Sequence, residues 1–515
     1  MARVLKKFST LILLQALTYN LTAAGHLATA PNQPSARCTD VIAQGLFPAE
    51  RPQPQAVYDE KLALQGTGQK IITQGPFVLE GSVKVDVAKN AILPILTSVL
   101  LHKGPVDMVD LPNISDVDKL TAILKDFGVQ VSHPQENVTR FDSSNLHTNR
   151  GVCELSQKMR ASFIVLGSLL GRFGAAEVFP PGGCVLGARG FDYHIDAFQK
   201  MGVVFEDFSD GAPVRGTSSA QKLHSAEIEL KGPSVGATQN ILNAAVLTEG
   251  VSRIKNAAQE AEVHDMVNFL NSMGAKIEWI NENTIEITGV KELKSPPPYR
   301  AIGDRIEAGT YILMGLMNRT ELKVEGFNPE HLGKTFFDVL DAINATYEVG
   351  KDFVIVKPSQ LKPVTKLNGE VLHTAPHPGF PTDLQAPLIA LLTTIDGESR
   401  IVETVFEDRL QIASELNKLI PDSKNKIRIS THKMNGKEHE MAIIPGSSKM
   451  SFHWDGSAPA KATDLRAAAA LVMAASRSDG PVEINNIIHL FRGYARFLEH
   501  LKARNVDISV VDEVN

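Results

Sequence analysis

The sequence predicts an α/β protein of two similar lobes, each holding three βαβ-type units. Three observations predict it. A helix-to-strand signature recurs as LKDFGVQV (124–131), FQKMGVVF (198–205), FLNSMGAKIEWI (269–280), LDAINATYEV (340–349) and LKARNVDISVV (501–511), with a degenerate sixth copy in ELNKLIPDSKNKIRI (415–429). The stretch ahead of the helices repeats too, as a strand running through a short loop into a helix. The chain has 515 residues, 43% of them hydrophobic and 21% charged, which is globular composition with length for two or more cores.

Each copy reads the same way. An apolar helix end is followed by Gly or Asn, which suits a left-handed cap. A small or β-branched residue and an alternating stretch then suit a half-buried strand. The copies lie roughly 70–75 residues apart, with a longer last interval, so one compact unit is reused about six times. The pre-helix segments are VDMVDLPNISDVDKL, SRIKNAAQEAEVHDMVNFL, LKVEGFNPEHLGKTFFDVL, SRIVETVFEDRLQIASEL and VEINNIIHLFRGYARFLEHL. Charges gather in their loops at Glu260 and Glu262, Glu407 to Arg409, and Arg492. Loops at strand ends are where ligand-handling groups tend to sit, and a cleft between two lobes suits an enzyme that closes.

Bulk properties exclude several classes. The net charge is −6 and the cations are scattered, which argues against a general nucleic-acid binder. Beyond the N-terminus, no segment approaches the ~20 apolar residues needed to span a membrane. Three cysteines, Cys38, Cys153 and Cys184, form neither a disulfide framework nor a zinc spacing, so the body reads as a protein of a reducing compartment. Residues 1–68 differ from the rest. Arg3, Lys6 and Lys7 precede the apolar run LILLQAL and small residues, with no acid before Asp40. That is the pattern of a signal or transit peptide; the other reading is a disordered extension or a mis-assigned start. Residues 31–68 are Pro/Gln-rich and read as a linker.

Five clusters carry chemistry. In VDVAKNAILP (85–94), Lys89 and Asn90 open an apolar helix, where amides and ammonium together suit phosphate. In KMRASFIVLGSLLGRFG (158–174), Arg160 stands at a helix start. FPPGGCVLGARGFDYH (179–194) sets Cys184 after two glycines, with Arg189, Asp192 and His194 following. It is either a tight surface turn or a mobile loop whose thiol sits beside a cation that favours the thiolate. HTAPHPGFPTDLQAP (373–387) stiffens the approach to Asp383 with prolines, placing a general base or an ordinary helix cap. Finally, Asp304/Arg305, Asp408/Arg409 and Asp464/Arg466 read as ion pairs within their loops, whereas Arg492, before Gly493, has a guanidinium suited to phosphate or carboxylate. With no Walker loop, no GxGxxG and no metal-ligand cluster, the set favours an anionic, phosphorylated substrate handled without metal or nucleotide cofactor.

These residues, in order along the chain, resemble the UDP-N-acetylglucosamine enolpyruvyl (1-carboxyvinyl) transferases of the EPSP-synthase-like family. The resemblance covers about residues 70–510 through AKNAILPIL, MRASFIVLGSLLGRFG, PGGCVLGAR, PSVGATQNIL, DRIEAGTY, TAPHPGFPTDLQA, FEDR, ATDLRAAAALV and RGY. It implies a two-lobed inside-out α/β barrel with three βαβαββ repeats per lobe. One lobe spans 89–302; the other joins 69–88 to 303–515. It implies phosphoenolpyruvate on Lys89, Arg189 and Arg492, with Arg160 adding charge. It places the UDP-sugar against Asn90, His194, Ser234, Val235, Gly236, Asp383 and Val405, with Arg409, Asp464 and Arg466 also counted as substrate-binding. Asp383 would accept the sugar's 3-hydroxyl proton, and Cys184 would protonate the phosphoenolpyruvate methylene and be the target of fosfomycin. Also implied are the first committed step of peptidoglycan synthesis, a cytoplasmic location and no membrane partner for the mature body; the leader raises an organellar or exported location instead. The rival acceptor is shikimate 3-phosphate, and a UDP-sugar-binding paralogue without turnover is the rival class.

Some positions depart from the family pattern. Asp86 and Val87 replace Ser-Gly ahead of Lys89, so an added acid is expected to weaken anion binding. Gly190 stands where proline is common, Phe491 replaces the acid before Arg492, a lysine is displaced to Lys231, and EAEV (260–263) replaces EPEI.

Overall fold

The computed structural model describes residues 68–151, 159–180, 190–206 and 212–513. The leader, most of the linker, Cys38, Cys153, Cys184 and Arg189 lie outside the described residues. The strands described form six sheets of three or four strands and one two-stranded ribbon, Lys366–Leu367 with Glu370–Val371. Most neighbours are antiparallel. Parallel pairs join Gly81–Lys84 to Leu322–Glu325, Glu227–Glu229 to Val251–Lys255, and Ala460–Lys461 to Pro481–Asn485.

The left-handed caps appear where the repeats predict them. Gly128, Gly202, Gly274, Asn344 and Asn505 all have positive φ, from 58° to 107°. At four of these the next N–H reaches back to the helix: Val129 to Leu124, Ala275 to Leu270, Ala345 to Leu340 and Val506 to Leu501, at 2.9–3.3 Å. Glycine and asparagine tolerate this conformation, and the reaching N–H satisfies a carbonyl orphaned at the helix end. The sixth copy differs. Helix Ile412–Leu419 ends on Ile420 in extended backbone, φ −90° and ψ 110°, because the residue before a proline, here Pro421, avoids the helical region. A strand still follows, at Arg428–Met434.

Two hydrophobic clusters form the interior. One gathers residues from Ile71 to Val85 and from Ile306 to Ile508; the other runs from Val87 to Ala301. The chain passes between them twice, side by side. Val87 and Gly303 form an antiparallel bridge, Ala88 N donates to Ile302 O (2.8 Å) and Asp304 N to Asp86 O (2.8 Å). A Cβ on Gly303 would lie 2.0 Å from the Gly326 carbonyl oxygen, so the crossing needs glycine there. Immediately beyond each strand of the crossing a helix begins, Lys89–Ser98 and Arg305–Asn318. Helix Leu465–Ala475, buried along its whole length, packs on Gln385–Leu392. Its six alanines favour helix and let the backbones approach. No helix among the described residues is long and apolar enough to cross a membrane.

Candidate active site

The helix starts beside the crossing bring two charged groups together. Lys89 is the first residue of its helix. Its own N–H donates to Asp304 Oδ2 at 3.2 Å, and Asp304 also caps helix Arg305–Asn318 through the Ile306 and Glu307 amides. The expected amide-plus-ammonium cradle is therefore partly used, since the first amide faces a carboxylate. That ammonium lies 3.3 Å from Asp116 Oδ2, in the first turn of helix Ser115–Asp126. Arg492 meets the same carboxylate with Nε at 3.0 Å and Nη2 at 3.4 Å. Burial lowers the proton affinity of Lys89, opposed by Asp116 and reinforced by Arg492. Burial pushes Asp116 the other way, but Lys89 and Arg492 outweigh it and hold the carboxyl below its usual range.

The second group surrounds Asp383. The residue sits in the 3₁₀ turn Thr382–Leu384, ahead of helix Gln385–Leu392. It is not a cap. Arg409 donates to Oδ1 at 2.7 Å, Arg466 to Oδ2 at 2.8 Å, and Asn90 to Oδ2 at 3.4 Å. Burial raises the proton affinity of Asp383, yet Arg466 and Arg409 reverse this and leave it ionised far below neutral pH. Arg466 also lies over the Tyr494 ring, 5.4 Å from its centroid. Asp383, Arg466 and Arg492 all act electrostatically on Lys89, so the two groups are neighbours.

Exposure inverts between them. In the first group the carboxylate is hidden, with the Asp116 side chain 3% exposed, while Lys89 and Arg492 are 14% and 24% exposed. In the second the cations are hidden, Arg409 and Arg466 at 3% each, while Asp383 is 25% exposed. The first group offers positive charge and can hold a phosphate or carboxylate; the second offers a carboxylate and can take a hydroxyl proton.

A third set lies around His194, which is buried, with Nδ1 2.9 Å from Asn240 Nδ2 and the ring edge-on to Phe163. A side chain on Gly236 would begin 3.6 Å from its Cε1. Ser234 caps the helix carrying Val235 and Gly236, its Oγ accepting from Ala237 N at 3.3 Å. Arg160 opens the 3₁₀ turn Arg160–Ile164 ahead of helix Val165–Phe173.

Several expectations change. The charges read as ion pairs within loops do not pair that way. Asp304 and Asp464 cap their own helices, since a carboxylate just before a helix faces the free amides. Arg305 reaches Glu262 at 2.9 Å, a buried pair joining the two hydrophobic clusters, and Asp408 takes a left-handed conformation while Arg409 turns to Asp383. The added acid Asp86 is neutralised by Arg496, with Nη2 to Oδ1 at 2.6 Å, so its charge does not stand open at the Lys89 site. Lys231 is exposed and paired with Asp196 at 3.2 Å. Phe491 packs against the first cluster, and Asp116 supplies the carboxylate for Arg492.

Sequence reasoning missed Asp116 and Glu403; it flagged Glu262 as a loop charge without its partner, Arg305. Glu403 is buried and accepts from the hydroxyls of Thr374 (2.8 Å) and Thr382 (2.9 Å) and from the amides of Val405 (2.8 Å) and Phe406 (3.0 Å). Its one signal was an acid directly after the apolar pair Ile401–Val402 that ends a strand, in SRIVETVF.

A family model described as EPSP synthase (3-phosphoshikimate 1-carboxyvinyltransferase) matches residues 73–501. A UDP-N-acetylglucosamine 1-carboxyvinyltransferase 2 of Carboxydothermus hydrogenoformans is 38% identical over 86% of this chain and 100% of its own length. The UDP-N-acetylglucosamine 1-carboxyvinyltransferase of Synechococcus sp. (strain CC9605) is 37% identical over 85% of this chain and 96% of its own. The enolpyruvyl transferase NikO of Streptomyces tendae superposes with a TM-score of 0.73 at 25% identity, covering 87% of this chain and all of its own.

Proposed function

The chain belongs to the EPSP synthase (3-phosphoshikimate 1-carboxyvinyltransferase) family, and from that premise we propose that it transfers the enolpyruvyl group of phosphoenolpyruvate to the 3-hydroxyl of UDP-N-acetylglucosamine, releasing phosphate. The inverted exposure of the two charged groups is the observation that carries the chemistry. The names of relatives 37–38% identical over most of the chain support the acceptor.

In this reading Lys89, Arg189 and Arg492 hold the phosphate and carboxylate of phosphoenolpyruvate, and Arg160 adds positive charge. Asp383, kept ionised by Arg409 and Arg466, orients the acceptor hydroxyl. A carboxylate of such low proton affinity is a weak base in isolation, so proton transfer accompanies C–O bond formation instead of preceding it. The sugar oxygen bonds to C2 while Cys184 gives its proton to C3, producing a tetrahedral intermediate. Loss of a C3 proton and of phosphate then yields the enolpyruvyl ether. The cations stabilise charge on the phosphate throughout. Asn90, His194, Ser234, Val235, Gly236 and Val405 line the UDP-sugar side, and Asp464 acts through the helix start that carries Arg466.

The reading includes two inside-out barrel lobes, 89–302 and 69–88 with 303–515, closing over the substrates. It also includes a role in peptidoglycan precursor synthesis and a cytoplasmic location, unless residues 1–68 direct the chain elsewhere; mass spectrometry of the mature N-terminus distinguishes these. A phosphate-release assay with each acceptor tests the activity. Release with UDP-N-acetylglucosamine and phosphoenolpyruvate is expected; release with shikimate 3-phosphate alone overturns it, and tight UDP-sugar binding without release points to a paralogue lacking turnover. Fosfomycin is expected to inactivate the wild type and spare Cys184→Asp; inactivation of both would remove Cys184 as its target.

A further inference from the structure

We propose that Glu403 is a positioning residue for the acceptor half of the site, aligning Asp383 and the Val405–Arg409 loop as one unit. This rests on the reaction proposed above. Glu403 follows strand Gly397–Val402 and is 4% exposed. Its Oε1 accepts from the Thr374 hydroxyl and the Val405 and Phe406 amides, and its Oε2 accepts from the Thr382 hydroxyl. Both oxygens are thus engaged by protein donors.

Two routes lead from it to Asp383. Thr382 is the chain neighbour of Asp383, and its Oγ, besides donating to Glu403, accepts from Arg409 Nη1 at 3.1 Å; Arg409 Nη2 in turn donates to Asp383 at 2.7 Å. The second route runs through Phe406, whose amide Glu403 holds and whose ring lies 5.4 Å from the Arg409 guanidinium carbon. Segment Thr374–Thr382 is pinned on the other side, because Thr404 N donates to Thr374 Oγ1 at 3.0 Å. A buried carboxylate accepting charge-assisted bonds from three separate stretches of chain fixes their relative placement. Reaction rate is steeply sensitive to such placement, with 1 Å of error costing on the order of 100-fold.

Glu403→Gln keeps one acceptor oxygen but presents an NH₂ where the Thr382 hydroxyl needs an acceptor. Thr382→Val removes the hydroxyl while keeping the shape, and Thr382→Ser keeps the hydroxyl. Phosphate release is measured with each substrate varied in turn. For Glu403→Gln and Thr382→Val, kcat is expected to fall about 10- to 100-fold and KM for UDP-N-acetylglucosamine to rise severalfold, with KM for phosphoenolpyruvate within about twofold. Thr382→Ser is expected to restore kcat to within about threefold of wild type. A merely structural role would raise both KM values together or leave kcat within about threefold in both variants, and either result overturns the proposal. If Glu403→Gln does not fold, Thr382→Val decides. If the wild type releases no phosphate, the proposed reaction fails, and calorimetric titration of UDP-N-acetylglucosamine into wild type and Thr382→Val then judges Glu403. Weaker binding to the variant supports it; equal binding, or binding to neither, overturns it.

Discussion

Asp116 and Asp383 pose the same electrostatic problem and solve it in opposite senses. Each is a carboxylate set under two cations, and in each the cations outweigh the cost of burial and keep the acid ionised. At Asp116 the acid is hidden and the cations look outward; at Asp383 the cations are hidden and the acid looks outward. Charge counting alone would call these sites equivalent. Accessibility decides that one collects an anion and the other collects a proton.

Glu307 supplies the contrast both sites need. It is fully buried, but its hydrogen-bond partners are neutral donors, the Asp86 amide at 2.9 Å and the Tyr311 hydroxyl at 3.2 Å. Burial, then Asp86 and Asp304, push its pKa up to about 8. A buried acid without a guanidinium or ammonium of its own takes a proton instead.

The largest effect belongs to the exposed acid. Asp383→Asn is expected to lower kcat about 1,000-fold while UDP-N-acetylglucosamine still binds. Next comes the outward-facing cation. Arg492→Ala is expected to raise KM for phosphoenolpyruvate about 100-fold and leave KM for the acceptor within about threefold, a split read by varying each substrate. Equal rises would erase the distinction between the two groups.

A smaller effect tests the hidden cations. Arg409→Gln leaves Asp383 with one guanidinium, so its proton affinity rises and the acid limb of the kcat–pH profile moves toward neutral. The sign for stability agrees. A carboxyl whose folded pKa is depressed stabilises the fold above its unfolded pKa and loses that contribution as pH falls through the folded value. Acid unfolding of Arg409→Gln should therefore begin at higher pH than in the wild type. Glu307 gives the smallest effect and the opposite sign. Its folded pKa is raised, so the native state binds the extra proton and stability declines as pH rises from the unfolded value, near 4.5, toward about 8. Thermal melts at pH 5 and pH 8 should show this decline in the wild type and less of it in Glu307→Gln. An identical decline would mean Glu307 is ionised in the fold.

The helix ends and the principal charged positions were legible in the sequence because both are written in local chemistry. Glycine or asparagine after a helix marks a left-handed turn whatever the tertiary context, and all five clear copies turn that way. Lys89, Asn90, Asp383 and Arg492 stand at helix starts or glycine turns that a motif can flag. What could not be read was partnership. Asp116 is 27 residues from Lys89 and 376 from Arg492, and nothing in NISDVDKL says which side of the helix meets them. The in-loop pairs failed for a local reason: carboxylates at Asp304 and Asp464 found amides of their own helices before they found the neighbouring arginine. Glu403 was hidden among apolar neighbours, where an acid is informative only once its donors are known.

The measurement that bears most directly on the account is kcat for phosphate release by Asp383→Asn and Asp116→Asn, side by side at saturating phosphoenolpyruvate and UDP-N-acetylglucosamine. The account predicts a loss of about 1,000-fold for Asp383→Asn and of less than about 10-fold for Asp116→Asn, because only the exposed acid handles a proton. Equal losses in the two variants, or the greater loss at Asp116, would contradict it.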